Sequence, residues 1–273
     1  VKILMPMLGF LLIFMVTYAM FNGAFVKAIN FLFAPDFSNV TSETFLSAMG
    51  QAFFSLSLGM GSIMAYGAYM PKDQKVVPTS FTVASLDTLV AMLAGLAIFP
   101  IIFAFNLEPN SGPGLVFVSM LSAFNQMQFG QLIGPVFFVL LSIAALSSSI
   151  SLLEPGVAYL SEEGYLSRKN SAFAISFFAW LLGLGTALSF NVLSDFNLTP
   201  GRNFLDSMDF IANQILLPLG GMMIAIFVGW FVKKDLIINE IGYVNPVIYK
   251  LWRFFIKFIA PTSVALIFIS QVL

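Results

Sequence analysis

Apolar residues run along this chain in blocks of about twenty, roughly the length of helix that a bilayer core of about 30 Å takes up. Seven such blocks can be marked, at about 3–25, 43–70, 79–105, 130–160, 171–192, 207–232 and 256–272. Between them lie a charged turn from Pro71 to Lys75, a long polar connection from Asn106 to Gln131, a stretch from Ser161 to Asn170, a segment from Ser194 to Asn203, and an amphipathic run from Lys233 to Lys257. The pattern predicts an all-α membrane protein of about seven transmembrane helices, with 1–273 as one transmembrane domain.

Charge adds an orientation, because basic residues gather on the cytoplasmic side of a membrane protein. With residue 1 inside, the inner set holds Lys2, Lys72, Lys75, Arg168, Lys169, Lys233, Lys234, Lys250, Arg253 and Lys257, and only Lys27 and Arg202 fall outside. The N-terminal end is therefore expected inside and, after seven crossings, the C-terminal end outside. Tyr249 to Lys257 mixes Trp252, Phe254 and Phe255 with three cations, which suits a helix lying at or entering the cytoplasmic interface. The outer connection 106–131 has no cation and carries Gly112, Pro113 and Gly114; its length suggests a packed lid.

Composition then narrows the chemistry. Of 273 residues 59% are hydrophobic and 9% charged, well outside the range of an ordinary soluble domain. Twelve Lys and Arg against thirteen Asp and Glu leave no basic footprint for nucleic acid. With neither Cys nor His, thiol nucleophiles, Cys-ligated metals and the commonest general base are missing, and an enzyme is not expected. The chain opens on Val1 and enters an apolar stretch without a signal-peptide cleavage pattern, so it reads as a fragment whose beginning is missing.

The second span is the most informative. Its 28 residues would make about 42 Å of continuous helix, yet its middle reads Phe53, Phe54, Ser55, Leu56, Ser57, Leu58, Gly59, Met60, Gly61, Ser62. Glycine and serine weaken a helix there, and an unwound turn would leave backbone groups needing partners that ions or polar substrates can supply. Equally open is a continuous helix whose glycines are smooth patches for a packed neighbour. Asp87 lies inside the third span, where a carboxylate is expensive unless paired, protonated or coordinating a cation; a structural bond to a neighbouring helix, or a carboxylate reaching the cytoplasmic interface, is the alternative. In the fourth span Ser147, Ser148 and Ser149 follow Ala144, Ala145 and Leu146, as hard oxygen ligands for sodium or as serines bonded back to their own helix. Glu154, followed by Pro155, marks a kink or pairs with a helix beyond the chain and receives no transport role. Asp206 and Asp209 share a helix face at the start of the sixth span, and for Asp206 a solvated helix start suffices. The 32 Phe are read as packing and lipid-facing surface.

The run GQAFFSLSLGMGSIMAYGAYMPKDQ from Gly50 to Gln74 resembles the sixth helix of the neurotransmitter:sodium symporter family, ALSSSISLLEP at 145–155 its eighth, and NFLDSMDF at 203–210 the start of its tenth. By that alignment the chain begins at the fifth helix and ends at about the eleventh, with the first four helices missing. The resemblance implies part of an inverted-repeat transporter fold with broken helices, of which this family is a standard example. It implies that Phe54, Ser55, Ser57, Met60, Ser148 and Leu152 line a substrate pocket. Ser55 and Asp87 would be ligands of one sodium; the Ala144 carbonyl, Ser147 and Ser148 would be ligands of another. Asp209 and Phe54 match the family's outer gate, and Tyr69 and Glu162 its cytoplasmic gate. Many relatives have an amide where Asp87 stands and a serine or acid where this chain has Ala91. Met60 together with Asp87 is similar to some bacterial members. The implied function is sodium-coupled symport of an amino acid, a hydrophobic one, by alternating access in a bacterial inner membrane. The implied partners are the amino acid, sodium ions, membrane lipid and the missing N-terminal helices, with no organic cofactor. The rival readings are a seven-helix receptor, which the inside N-terminus opposes, and a non-transporting scaffold or half of a split transporter.

Overall fold

The computed structural model describes residues 2–109, 112–189, 191–194, 196–242 and 245–272. Its helices are α1 (Leu4–Asn22), α2 (Phe25–Phe33), α3 (Ser42–Ser55), α4 (Ser62–Ala68), α5 (Val76–Ala104), α6 (Leu115–Gln126), α7 (Gly130–Glu162), α8 (Arg168–Leu188), α9 (Phe204–Phe231), α10 (Lys234–Ile241) and α11 (Pro246–Ile269). A two-stranded antiparallel ribbon, β1 (Asn197–Thr199) and β2 (Arg202–Asn203), turns on Gly201 just before α9. Helix is what lipid permits, because each backbone N–H and C=O must find its partner within the segment. Among the described residues six helices, α1, α5, α7, α8, α9 and α11, are long and apolar enough to cross a membrane. The second expected span is the broken pair α3 and α4.

Caps explain several boundaries. Thr41 and Thr44 close the start of α3 by exchanging backbone-to-hydroxyl bonds of 3.1 and 3.4 Å. The Asn203 side chain accepts from the Asp206 N–H at 2.9 Å, and the Asn245 side chain accepts from the Val247 N–H at 2.9 Å with Pro246 in the first turn. That last cap corrects the expected limit of the final span. The helix starts at Pro246, so Tyr249 to Lys257 is the opening part of the last span, the entering alternative of the two. The connection 106–131 is corrected as well. It contains α6, whose Met120, Ala123 and Phe124 are buried, so packing is present but as a helix; Asn110 and Ser111 of that connection lie outside the described residues.

The chain divides into two compact units. The first, 1–39 with 82–150, has a core of Leu12, Met15, Ala19, Ala97, Ile101, Ile102, Met120, Phe124, Ile133 and Phe137. In it the Ala24 N–H donates to the Pro100 carbonyl at 2.9 Å. The second, 40–81 with 151–273, holds α3, α4, the last turns of α7, and α8 to α11.

Candidate substrate and sodium site

The break between α3 and α4 is built by backbone geometry. After Ser55 the chain closes two tight turns, with the Ser57 N–H donating to the Phe54 carbonyl at 2.9 Å and the Leu58 N–H to the Phe53 carbonyl at 3.0 Å. Ser57, Gly59 and Gly61 then take φ of 53°, 95° and 81°, a region that ends a right-handed helix. Gly59 is further constrained by its neighbour: a Cβ placed on it would stand 2.5 Å from the Leu217 carbonyl oxygen and 2.7 Å from the Gly221 nitrogen. The Phe53 ring lies against Gly221, so the break is seated on a small-residue patch of α9 that follows Pro218. Both readings of these glycines therefore hold together, since the helix is interrupted and the glycines also let a neighbour come close. Phe54 remains 44% exposed, while Ser55, Ser57 and Met60 are half-buried. Ser62 begins α4 buried at 4% exposure, and its hydroxyl has no hydrogen-bond partner.

In the first unit, Ser147 is buried and its hydroxyl donates to the Ala144 carbonyl at 2.9 Å; Ser149 does the same toward Leu146, also at 2.9 Å. Back-bonding uses the Ser147 hydroxyl proton, so its oxygen acts toward any further partner as an acceptor. Ser148 is exposed and four residues from Ala144, on the same stripe of α7. Asp87 is half-buried eleven residues into α5, about 16 Å along its axis. These residues offer a carbonyl, two hydroxyls and a carboxylate, all hard oxygen donors of the kind that group I and II cations prefer. Leu152 is exposed and belongs, with Phe54, Ser55, Ser57 and Met60, to the second unit.

On the other side of the break a polar ladder joins α4 to the last turns of α7. The Tyr66 hydroxyl donates to Ser151 Oγ at 3.1 Å, and the Tyr69 hydroxyl to Glu154 Oε1 at 2.9 Å. Arg168, the first residue of α8, grips both Glu154 oxygens through Nη2 at 2.7 and 3.0 Å, the one ion pair among the described residues. Among the described residues the partners of Glu154 are Tyr69 and Arg168. Glu162, two turns further on, is exposed. Spacing could not have found this trio, because Tyr69 and Glu154 are 85 residues apart. The available signal was an acid inside a span, which demands a partner, with a cation opening the next helix.

At the start of α9, Ser207 is buried and donates to the Arg202 carbonyl at 3.2 Å while accepting from the Thr199 N–H at 3.1 Å, which ties the ribbon to the helix. Asp209 is exposed and accepts from Asn213 at 2.6 Å, and the Arg202 guanidinium lies 3.9 Å from the Phe210 ring centroid. Immediately after Asp209 the helix widens to a π-helical stretch, Phe210–Leu216, a local departure often found at functional positions.

Comparison with known proteins gives this geometry a family. The sodium-dependent transporter YhdH of Bacillus subtilis is 33% identical over 274 residues, covering 99% of this chain and 60% of that protein. The sodium-dependent nutrient amino acid transporter 1 of Drosophila ananassae is 26% identical over 256 residues, covering 88% of this chain and 38% of that one. The crystal structure of MhsT in complex with L-phenylalanine matches with a TM-score of 0.85 and 44% sequence identity, over 99% of this chain and 62% of the other. The chain thus spans about three-fifths of the length of the bacterial relatives it matches. These proteins are transporters rather than enzymes, and a chain of this make-up is an integral, multi-pass membrane protein. The profile of the sodium:neurotransmitter symporter family matches residues 1–273, and the chain belongs to that family.

Proposed function

We propose that these residues form part of a sodium-coupled symporter for a hydrophobic amino acid in a bacterial inner membrane. The observation that carries the reading is the interrupted helix at residues 56–61, seated on α9 and leaving Phe54 exposed next to Ser55 and Ser57. The 44% identity to a protein crystallised with L-phenylalanine supports the substrate class. In this reading Phe54, Ser55, Ser57, Met60, Ser148 and Leu152 surround the substrate. Ser55 and Asp87 hold one sodium, and the Ala144 carbonyl, Ser147 and Ser148 hold a second. Asp209 and Phe54 serve the outer gate. Tyr69 serves the inner one through Glu154 and Arg168, with Glu162 nearby in sequence. Sodium at Asp87 neutralises a carboxylate and satisfies the backbone of the break, so sodium and substrate each raise the other's affinity by linkage. The activity is that of a transporter of the relatives' length containing this chain as one transmembrane domain; the 273 residues alone are not expected to transport.

The test is uptake of labelled L-phenylalanine by vesicles containing the intact transporter, with an inward sodium gradient. Accumulation that collapses when potassium replaces sodium supports the proposal. Uptake indifferent to that replacement would overturn it.

A further inference from the structure

Between Lys233 and Lys257 the chain carries five cations against two acids, Asp235 and Glu240, and the fold draws several of those cations to one place. The polypeptide leaves α9 in an extended conformation at Val232 and continues as α10 and then α11. Tyr249, buried in the first turns of α11, is the organising group. Lys234 Nζ lies 5.5 Å from its ring centroid, and its hydroxyl accepts from Arg253 Nη1 at 2.6 Å. Arg253 Nη2 reaches back to the Val232 carbonyl at 3.3 Å. Lys257 Nζ stands 4.7 Å from the Trp230 ring centroid, an approach that Gly229 permits, since a Cβ there would be 3.2 Å from the Lys257 Cα. Lys234, Arg253 and Lys257 thus surround the turn at 230–234.

Every partner they have is neutral. Among the described residues the one ion pair is Arg168 with Glu154, so none of the three has a carboxylate. Gathering like charges without an anion is unfavourable, and the guanidinium of Arg253 has more donors than the two it uses here. Around the cations the same elements expose Phe231, Leu251, Phe254 and Phe258, and Trp230 stands 5.6 Å from Phe258 in an edge-on arrangement. Cations ringed by aromatic and aliphatic side chains match the boundary between headgroups and acyl chains.

We propose that the turn joining α9 to α10, together with the start of α11, binds the phosphate headgroup of an anionic phospholipid in the cytoplasmic leaflet. The choice of a lipid follows from the apolar collar, which acyl chains can contact and a soluble phosphate cannot, and the leaflet follows from the ten-to-two distribution of basic residues. The site lies outside the residues assigned to substrate and sodium.

The test uses the purified intact transporter in detergent and counts the phosphatidylglycerol and phosphatidylcholine it retains, by mass spectrometry of the intact complex. Severalfold preference for phosphatidylglycerol is expected. It should fall about fivefold for each cation removed, the equivalent of about 1 kcal/mol per basic residue near a membrane surface, in Lys234→Gln and in Lys257→Gln, both of which should keep phenylalanine binding. Should one of the two variants fail to fold, the other carries the same comparison. Equal retention of the two lipids, a preference unchanged by the variants, or displacement of phosphatidylglycerol by equimolar inorganic phosphate would each overturn the proposal.

Discussion

Replacing Gly59 by alanine tests whether the break is held by backbone contact, and the structure supplies its own controls. At Gly59 an alanine meets two penalties. Its φ of 95° lies in the left-handed half of conformational space, where a side chain costs about 1–2 kcal/mol. Its Cβ would also stand 2.5 Å from the Leu217 oxygen and 2.7 Å from the Gly221 nitrogen, which are backbone atoms with no rotamer to change. Forcing a methyl group into such a contact adds about 1–3 kcal/mol. Gly164 has a φ of 74° with nothing within 4 Å of the place an alanine methyl would take, so Gly164→Ala should show the conformational penalty alone. Gly67, inside α4 with ordinary φ and open space, should gain up to about 1 kcal/mol as alanine. The expected order of stability is Gly67→Ala, then unsubstituted protein, Gly164→Ala and Gly59→Ala. Thermal unfolding of the detergent-solubilised intact transporter, followed by phenylalanine binding, measures it. Gly59→Ala should lose binding as well as stability because the clash displaces Phe54 and Ser55, whereas Gly164→Ala should keep binding. A Gly59→Ala protein as stable as Gly164→Ala, or one that binds normally, would refute the close contact with α9.

Three further outcomes are expected. Ser148→Ala should weaken sodium affinity by about 1–3 kcal/mol, the cost of a lost polar partner, without loss of folding; an unchanged midpoint in a sodium titration of substrate binding removes Ser148 from the site. A double-mutant cycle of Glu154→Gln and Arg168→Gln should give only a weak coupling, one that fades as salt is raised, because Arg168 is 60% exposed and solvent screens the pair; a strong coupling insensitive to salt would refute that screening. With Asp87 holding the first sodium as proposed, its carboxylate would stand in for an anion there, so uptake should be unchanged when gluconate replaces chloride and should become chloride-dependent in Asp87→Asn; a severalfold loss of rate in the unsubstituted protein contradicts that assignment.

The long helices are legible in the sequence because lipid leaves few alternatives: α1, α5, α7, α8 and α9 begin and end within a few residues of the apolar blocks that announce them. The errors fall where another rule competes. α6 is hidden because its twelve residues after Gly112, Pro113 and Gly114, four of them polar, are too few to span a bilayer, and its apolar side covers a core instead. The start of α11 is obscured by its cations, which imitate a boundary, although Asn245 and Pro246 spell a helix start and aromatic side chains let Lys257 remain inside the helix.

At the candidate site the sequence poses its questions as alternatives that the folded chain does not treat as exclusive. Gly59 interrupts a helix and also admits a neighbouring backbone; Ser147 donates to its own helix with its proton, while its oxygen remains an acceptor by type. The reason is that each residue has more than one interacting group, and local pattern reads them one at a time. Ser62 illustrates the opposite limit. Nothing in its spacing distinguishes it from Ser55 or Ser57, yet it is the buried one whose hydroxyl lacks a partner, at the point where the inner half-helix begins. An unmet hydroxyl there costs about 1–3 kcal/mol in this arrangement of the chain. A conformation that supplied a partner would be favoured by the same amount.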